Sequence, residues 1–232
     1  MSEKKVLIVE DEYEISKITK AYFEKAGYEV FQAFNGEEAI QIFQAEDFDL
    51  ITLDIMLPKL NGFEVLKIIR SSSLVPVIII TALDDEENIL KGYELKVDDY
   101  MPKPFNPKVL VAKANNLLNR LSNITTTSKY VKGGLELNFE THTVLKDSKE
   151  LLLSKTEFDL LTLLIKLEDR VCSRDLILDE IWGQATYVDN RIVDTYVKNL
   201  RKAIKPYNYI KTIYKSGYMF SLKDSENTNE EA

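Results

Sequence analysis

One cysteine and one histidine among 232 residues close off several chemistries at the outset. Cys172 has no partner for an internal disulfide, and Cys172 with His142 is too small a set for a tetrahedral zinc site. Cys172 is expected to pack in a core. No apolar run approaches the roughly 20 residues that a membrane span needs, and Met1-Ser2-Glu3-Lys4-Lys5 leads into a strand-like run with no signal-peptide core. The expectation is a cytoplasmic protein without a membrane partner. A hydrophobic content of 45% and a mean hydropathy of -0.19 are ordinary for a globular chain, and the length suffices for two compact domains.

Four short apolar runs in the first half each end on polar or charged residues. They are Val6-Leu7-Ile8-Val9 before Glu10-Asp11, Leu50-Ile51-Thr52-Leu53 before Asp54, Val77-Ile78-Ile79-Ile80 before Thr81, and Tyr100-Met101-Pro102 before Lys103. Near-continuous Val/Ile/Leu runs read as strands buried on both faces of a parallel sheet, whose ligands bind at the carboxyl ends of the strands. Three acids, a hydroxyl and an ammonium should therefore converge. Three neighbouring carboxylates repel unless a cation sits among them, and magnesium suits carboxylates, a backbone carbonyl, waters and a phosphate oxygen. One carboxylate oxygen then remains free as a nucleophile, which points to phosphoryl transfer onto an aspartate. Lys103 would balance the equatorial phosphoryl oxygens, and the Thr81 hydroxyl would hydrogen-bond the attached group. Singly, an Asp or Lys at a strand end is usually a solvated cap; the order and spacing of these residues together argue for a site.

Residues 4–121 resemble the receiver domain of a two-component response regulator. The resemblance implies that Glu10 and Asp11 hold magnesium, that Asp54 in Leu53-Asp54-Ile55-Met56-Leu57-Pro58 is the phosphoacceptor, and that Met56 lends its backbone carbonyl. It further implies that Thr81 is the switch hydroxyl, Tyr100 the switch aromatic, Lys103 the phosphate-facing lysine, and Lys103–Pro104 a cis bond. A half-buried strand aromatic is the plainer reading of Tyr100. With His142 the only histidine, the phosphodonor must be another molecule, which the resemblance makes a sensor histidine kinase. His142 itself reads as a structural strand residue.

The first domain, 1–121, alternates strands and helices into five of each. It ends in an amphipathic segment from about Asn106 to Leu121. A polar linker, 122–129, separates it from a second domain at 130–223, and an acidic tail at 224–232 is expected to be disordered. Segments 130–132, 135–138, 142–146 and 150–152 are strand-like. Ser154 with Glu157 forms a capping box that opens a helix through about Ile165. Charge is unequal: residues 1–121 carry 14 Lys and Arg against 21 Asp and Glu, a net of -7 within a chain total of -8. Between Asn190 and Lys215, however, stand Arg191, Lys198, Arg201, Lys202, Lys205, Lys211 and Lys215 against the single acid Asp194, a footprint for phosphate backbone.

Leu153 to Phe220 is similar to the winged-helix effector of OmpR/PhoB-type response regulators. The match is carried by Leu153-Ser154-Lys155-Thr156-Glu157-Phe158, Ile181-Trp182-Gly183, Arg191-Ile192-Val193-Asp194-Thr195-Tyr196-Val197 and Gly217-Tyr218-Met219-Phe220. The expected architecture is thus an α/β receiver, a doubly wound five-stranded parallel sheet of the flavodoxin kind, followed by an α+β winged helix-turn-helix. The resemblance places a helix from about Asp189 to Ile204 in the major groove of promoter DNA and the Tyr214-Lys215-Ser216-Gly217 hairpin in the minor groove. Helical spacing assigns the DNA face to Arg191, Thr195, Lys198, Asn199 and Lys202, with Arg201 at its border. Arg191, Arg201 and Lys202 are expected on phosphates. Asn199 stands where relatives commonly have Arg, and because Asn pairs with adenine, an A/T-leaning half-site is expected. Tyr214 and Lys215 stand where relatives have Arg and Gly, so Lys215 takes over minor-groove insertion.

The resemblance also implies activation by a homodimer, formed on phosphorylation through the fourth helix, fifth strand and fifth helix. Asp99 with Lys113 and Asp98 with Arg120 are its candidate charge pairs, whereas Ile89 and Val109 replace a third pair and favour apolar burial. RNA polymerase is the further partner. Lys96-Val97 and Pro102 depart mildly from the family around the fifth strand, and Met56 and Leu83 flank the path of hydrolytic water, which predicts a slow loss of phosphate. Two other readings compete. An aspartate-based phosphatase wants a second acid two residues after the nucleophile, where this chain has Met56; a constitutive DNA-binding protein would use its receiver only to dimerise.

Overall fold

The computed structural model describes residues 3–82, 92, 95–119, 129–183 and 191–223. The chain divides into two compact units, the first running to Leu121 and the second holding the described residues from 129 onward. Residues 1–2, 83–91, 93–94, 120–128, 184–190 and 224–232 lie outside the described residues, and with them the expected linker up to 128, the tail and all of the fourth receiver helix but Gly92, as well as Leu83, Ile89 and Arg120. Lys129, expected to end the linker, instead opens the first strand of the second unit.

In the first unit the four apolar runs form strands of one parallel sheet, with β1 (Lys4–Val9), β2 (Tyr28–Ala33), β3 (Leu50–Asp54), β4 (Val77–Thr81) and β5 (Asp99–Pro102) in the order β2-β1-β3-β4-β5. Every residue of β3 and β4 is buried, as a strand covered on both faces requires. Alternation does the covering. Val6 and Ile8 join Phe23 of α1 (Tyr13–Lys25) and Leu110, Ala114 and Leu117 of α4 (Pro107–Asn119) in one cluster. Leu7 and Val9 face the other side. That side belongs to α2 (Gly36–Ala45) and α3 (Gly62–Arg70), whose starts are held by Asn35, accepting from Glu38 N, and by an Asn61/Glu64 capping box. Strand order reverses at β1, so the crevice at the carboxyl ends of β1 and β3 is the natural ligand position.

The second unit opens with an antiparallel sheet of β6 (Lys129–Lys132), β7 (Leu135–Asn138), β8 (Thr143–Lys146) and β9 (Lys149–Glu150). Three helices follow: α5 (Lys155–Lys166), α6 (Arg174–Trp182) and α7 (Arg191–Ala203). A hairpin of β10 (Ile210–Ile213) and β11 (Gly217–Phe220) closes the unit. Ser154 and Glu157 cap α5 reciprocally, as their spacing predicts, and Ser173 caps α6. Helix α7 buries Ile192, Val193, Tyr196, Val197 and Leu200 along one stripe and turns its remaining face outward. Cys172 is fully buried, in line with a packing role.

Some local expectations need correction. His142 is not a strand residue: it has φ 55° in the turn between β7 and β8, with its ring 5.1 Å from that of Phe158. The strand expected at 150–152 is the two-residue β9, because the chain leaves the sheet to reach the Ser154 cap. Helix α5 runs one residue past Ile165, and α4 begins at Pro107 rather than Asn106.

Candidate functional site

The strand ends bring the acids together. Ligand oxygens of Glu10, Asp11 and Asp54 lie within 4.8 Å of one another, with Glu10 and Asp54 buried and Asp11 exposed. Lys103, just past β5, reaches across the sheet: its Nζ donates to Asp54 Oδ2 at 2.6 Å, to Glu10 Oε1 at 2.7 Å and to Glu12 Oε1 at 3.4 Å. Its backbone N–H donates to the Thr81 carbonyl at 2.9 Å, which aligns the lysine with the end of β4. The other Asp54 oxygen, Oδ1, accepts from Met56 N at 2.8 Å, while the Met56 side chain is exposed. Thr81 is buried, and the Lys103–Pro104 bond is cis. Glu12 was not among the residues singled out from the sequence; its place beside the acidic pair was the available signal.

The loop between β3 and α3 passes so close to Asp54 that a Cβ on Gly62 would sit 2.2 Å from the Asp54 carbonyl oxygen. Only glycine fits there. Burial raises the Glu10 carboxyl above its ordinary range and the nearby Asp54 charge adds to this, although the hydrogen bond from Lys103 opposes it. Burial, the largest single influence, would lower the Lys103 ammonium, but hydrogen bonds to Asp54 and Glu10 and the attraction of their charges together outweigh it and hold the group above its ordinary value. Lys103 is therefore charged at neutral pH. The pocket sets a fixed cation among buried carboxylates, and its hard oxygen donors fit a hard divalent cation such as magnesium.

Tyr100 is buried already, 5% exposed, with its ring over Gly92, where a Cβ would stand 2.6 Å from the tyrosine oxygen. The acids expected on the dimer face are likewise turned inward. Asp98 Oδ2 accepts from Val77 N at 3.0 Å and from Arg70 at 3.4 Å, and Asp99 takes two bonds from Lys113 Nζ of the same chain at 2.8 and 3.0 Å. Lys113 is itself buried. The expected Asp99–Lys113 pair is thus formed, within one chain, while Asp98 is bonded to Arg70 and its expected partner Arg120 lies outside the described residues. Val109 alone of the described dimer-face residues is exposed.

In the second unit Arg191, Lys198 and Lys202 lie on the outward face of α7, and Lys215 sits at φ 57° in the β10–β11 turn beside an exposed Tyr214. Thr195 turns its hydroxyl back to the Arg191 carbonyl at 3.3 Å. Asn199 is half-buried, and its amide nitrogen is sealed from solvent with no hydrogen-bond partner. Arg201 is engaged internally: its guanidinium donates to the Ile210 carbonyl at 2.9 and 3.0 Å and to Thr212 Oγ1 at 2.7 Å. A cluster of Arg174, Asp194 and Tyr218 joins α6, α7 and β11. Sequence reasoning noted Asp194 only as the lone acid of a basic stretch.

Residues 6–115 match the family model described as response regulator receiver domain, and residues 148–220 match transcriptional regulatory protein, C terminal. The chain belongs to the OmpR/PhoB-type response regulators. It is a two-component response regulator with a DNA-binding transcriptional-regulator domain. Relatives extend over nearly its full length: "Probable transcriptional regulator ycf27" of Cyanophora paradoxa is 38% identical over 232 residues, covering 95% of this chain and 97% of the relative. The transcriptional regulatory protein SrrA of Staphylococcus aureus is 34% identical over 233 residues, with the same coverage of 95% and 97%. Among solved structures, the response regulator DrrB of Thermotoga maritima, an OmpR/PhoB homologue, aligns at 34% identity. Its TM-score is 0.53, and the match covers 95% of this chain and 100% of that one. No helix among the described residues is long and apolar enough to cross a membrane.

Proposed function

We propose that this response regulator is switched by phosphorylation of Asp54 from a partner histidine kinase, and that the modified protein dimerises through its receiver to bind tandem half-sites in promoter DNA. The observation that carries the reading is the Lys103 ammonium bonded at once to Asp54 and Glu10 beside Asp11. In this reading Glu10, Asp11, Asp54 and the Met56 carbonyl hold magnesium, which when bound offsets the charge of the incoming phosphoryl group. An Asp54 carboxylate oxygen attacks the phosphorus as the P–N bond to the kinase histidine breaks, Lys103 pairs with the phosphoryl oxygens, and the Thr81 hydroxyl bonds the group once attached. A groove of about 500 Å³, lined by Ile15, Ile18, Pro104 and Phe105 next to Lys103, gives the kinase an apolar surface at the pocket's rim.

On the DNA side, Arg191, Lys198 and Lys202 of α7 and Lys215 of the wing contact the duplex, Asn199 reads adenine, and Arg201 holds the wing to the helix rather than reaching for phosphate. RNA polymerase is the partner at the promoter. The buried Tyr100 favours a second reading, in which the receiver is a standing dimerisation module. Light scattering and DNA binding for wild type and Asp54→Ala, in magnesium with or without a small-molecule phosphodonor, separate the two. Dimerisation and tighter DNA binding confined to phosphodonor-treated wild type support the switch; identical behaviour in all samples supports the standing module.

A further inference from the structure

The outward face of α7 is basic, yet its first turn carries an acid, Asp194, whose side chain is 49% exposed. An uncompensated carboxylate there would repel the DNA backbone. The structure gives it other company. Asp194 Oδ1 accepts from Arg174 Nε of α6 at 2.7 Å and from the Tyr218 hydroxyl of β11 at 2.6 Å, and Arg174 also donates to that hydroxyl at 3.1 Å. An exposed ion pair alone would contribute little, but here the shared partner is buried: Tyr218 is only 4% exposed.

Tyr218 is gripped on every side. Its backbone pairs both ways with Cys172, at 2.7 and 2.9 Å. The guanidinium of Arg174 lies 4.8 Å from its ring centroid and that of Arg201 lies 5.5 Å away, while Arg201 also bonds the Ile210 carbonyl and Thr212 of the neighbouring strand. Helix α7 thus contributes a carboxylate and a guanidinium that hold the two strands of the hairpin. Tyr218 pairs with Thr212 two residues after the Tyr214-Lys215-Ser216 turn, so the grip acts on the strands that carry the turn.

We propose that Asp194 is a positioning residue which fixes the wing against the DNA-facing helix, and that its carboxylate therefore strengthens DNA binding in spite of its charge. This rests on the reading that α7 and the wing contact the same duplex. Electrostatics alone predicts the opposite sign, since deleting an acid beside phosphates and releasing Arg174 should tighten binding.

The test uses the full chain, treated with phosphodonor, and fluorescence anisotropy on a duplex recovered from a random pool by the wild type, across a range of KCl. The variants are Asp194→Ala, Tyr218→Phe, their combination, Lys198→Ala and Lys215→Ala. Tyr218→Phe keeps the ring in place, so a folded variant exists whatever Asp194→Ala does to folding. Asp194→Ala and Tyr218→Phe should each bind roughly tenfold more weakly, with a salt slope lowered by about one as the Lys215 contact is lost. The combination should be no weaker than the worse single variant. Hydroxyl-radical protection should disappear under the wing and persist under α7. Equal or tighter binding by Asp194→Ala, or an unchanged slope, overturns the proposal. If Lys198→Ala and Lys215→Ala also bind like wild type, the underlying reading of the DNA face has failed instead, and the proposal falls with it.

Discussion

Replacing Lys103 with methionine should destabilise the receiver by about 3 kcal/mol at neutral pH. The lysine side chain is 13% exposed, and its partners Glu10 and Asp54 are 3% and 4% exposed, so the substitution leaves two buried carboxylates facing each other. Removing one member of a buried pair costs roughly 3–5 kcal/mol. The lower end applies because Met56 N still donates to Asp54, Glu12 N still donates to Glu10, and Asp11 opens the pocket to water. For a domain of this size the loss corresponds to a fall in Tm on the order of 10 °C. The sign of the pH dependence follows. The wild-type Lys103 ammonium is raised above 10.5, so its stabilisation is fully present below that value and disappears only at higher pH. Without it, the Glu10 carboxyl, already above its ordinary 4.5 because of burial, moves further up. A carboxyl raised in the folded state favours folding below its unfolded value and loses that contribution as pH rises. The deficit should therefore be greatest at pH 7 and shrink toward pH 4–5. Calorimetry on the full chain checks this, with the fluorescence of Trp182, the single tryptophan and a buried residue of the effector, as an internal control that should not shift. Millimolar magnesium should recover part of the deficit. A variant with wild-type Tm at pH 7, or a deficit that grows on acidification, refutes the reasoning.

Gly62→Ala should destabilise the receiver by more than ~2 kcal/mol and slow labelling of Asp54 by a phosphodonor, because its Cβ would meet the Asp54 carbonyl oxygen at 2.2 Å and backbone must move; denaturant unfolding and a phosphate-affinity gel read the two effects. Gly92→Ala should expel Tyr100, whose oxygen would lie 2.6 Å from the new Cβ, so nitration at Tyr100 mapped by mass spectrometry should rise, and an unreactive Tyr100 would sink the packing argument. Lys215→Ala should weaken binding to all sequences alike and lower the salt slope by about one; an unchanged slope removes Lys215 from the contacts. Selection from random DNA should return A/T-leaning half-sites if the Asn199 amide, sealed without a partner here, swings out to adenine, and guanine-rich sites under α7 would contradict that role.

The residues of the acidic pocket were legible in the sequence because each stands at the end of an apolar run, and a strand buried on both faces needs such a run whatever lies beside it. The Ser154 capping box and the buried stripe of α7 were legible for a similar reason: both are local patterns with helical spacing. His142 was misjudged because alternation around it looks like a strand, whereas a positive φ is a property of the turn. What only the tertiary structure decided are the partners of charged groups. Asp98 and Asp99 look alike in sequence to surface acids, but Arg70, Val77 N and Lys113 meet them in the interior. Arg201 and Asp194 look like a phosphate contact and a stray acid until Tyr218, Ile210 and Arg174 are folded against them. Burial patterns follow from the chain's own periodicity, but a charge takes its role from whatever the fold places within about 3 Å of it.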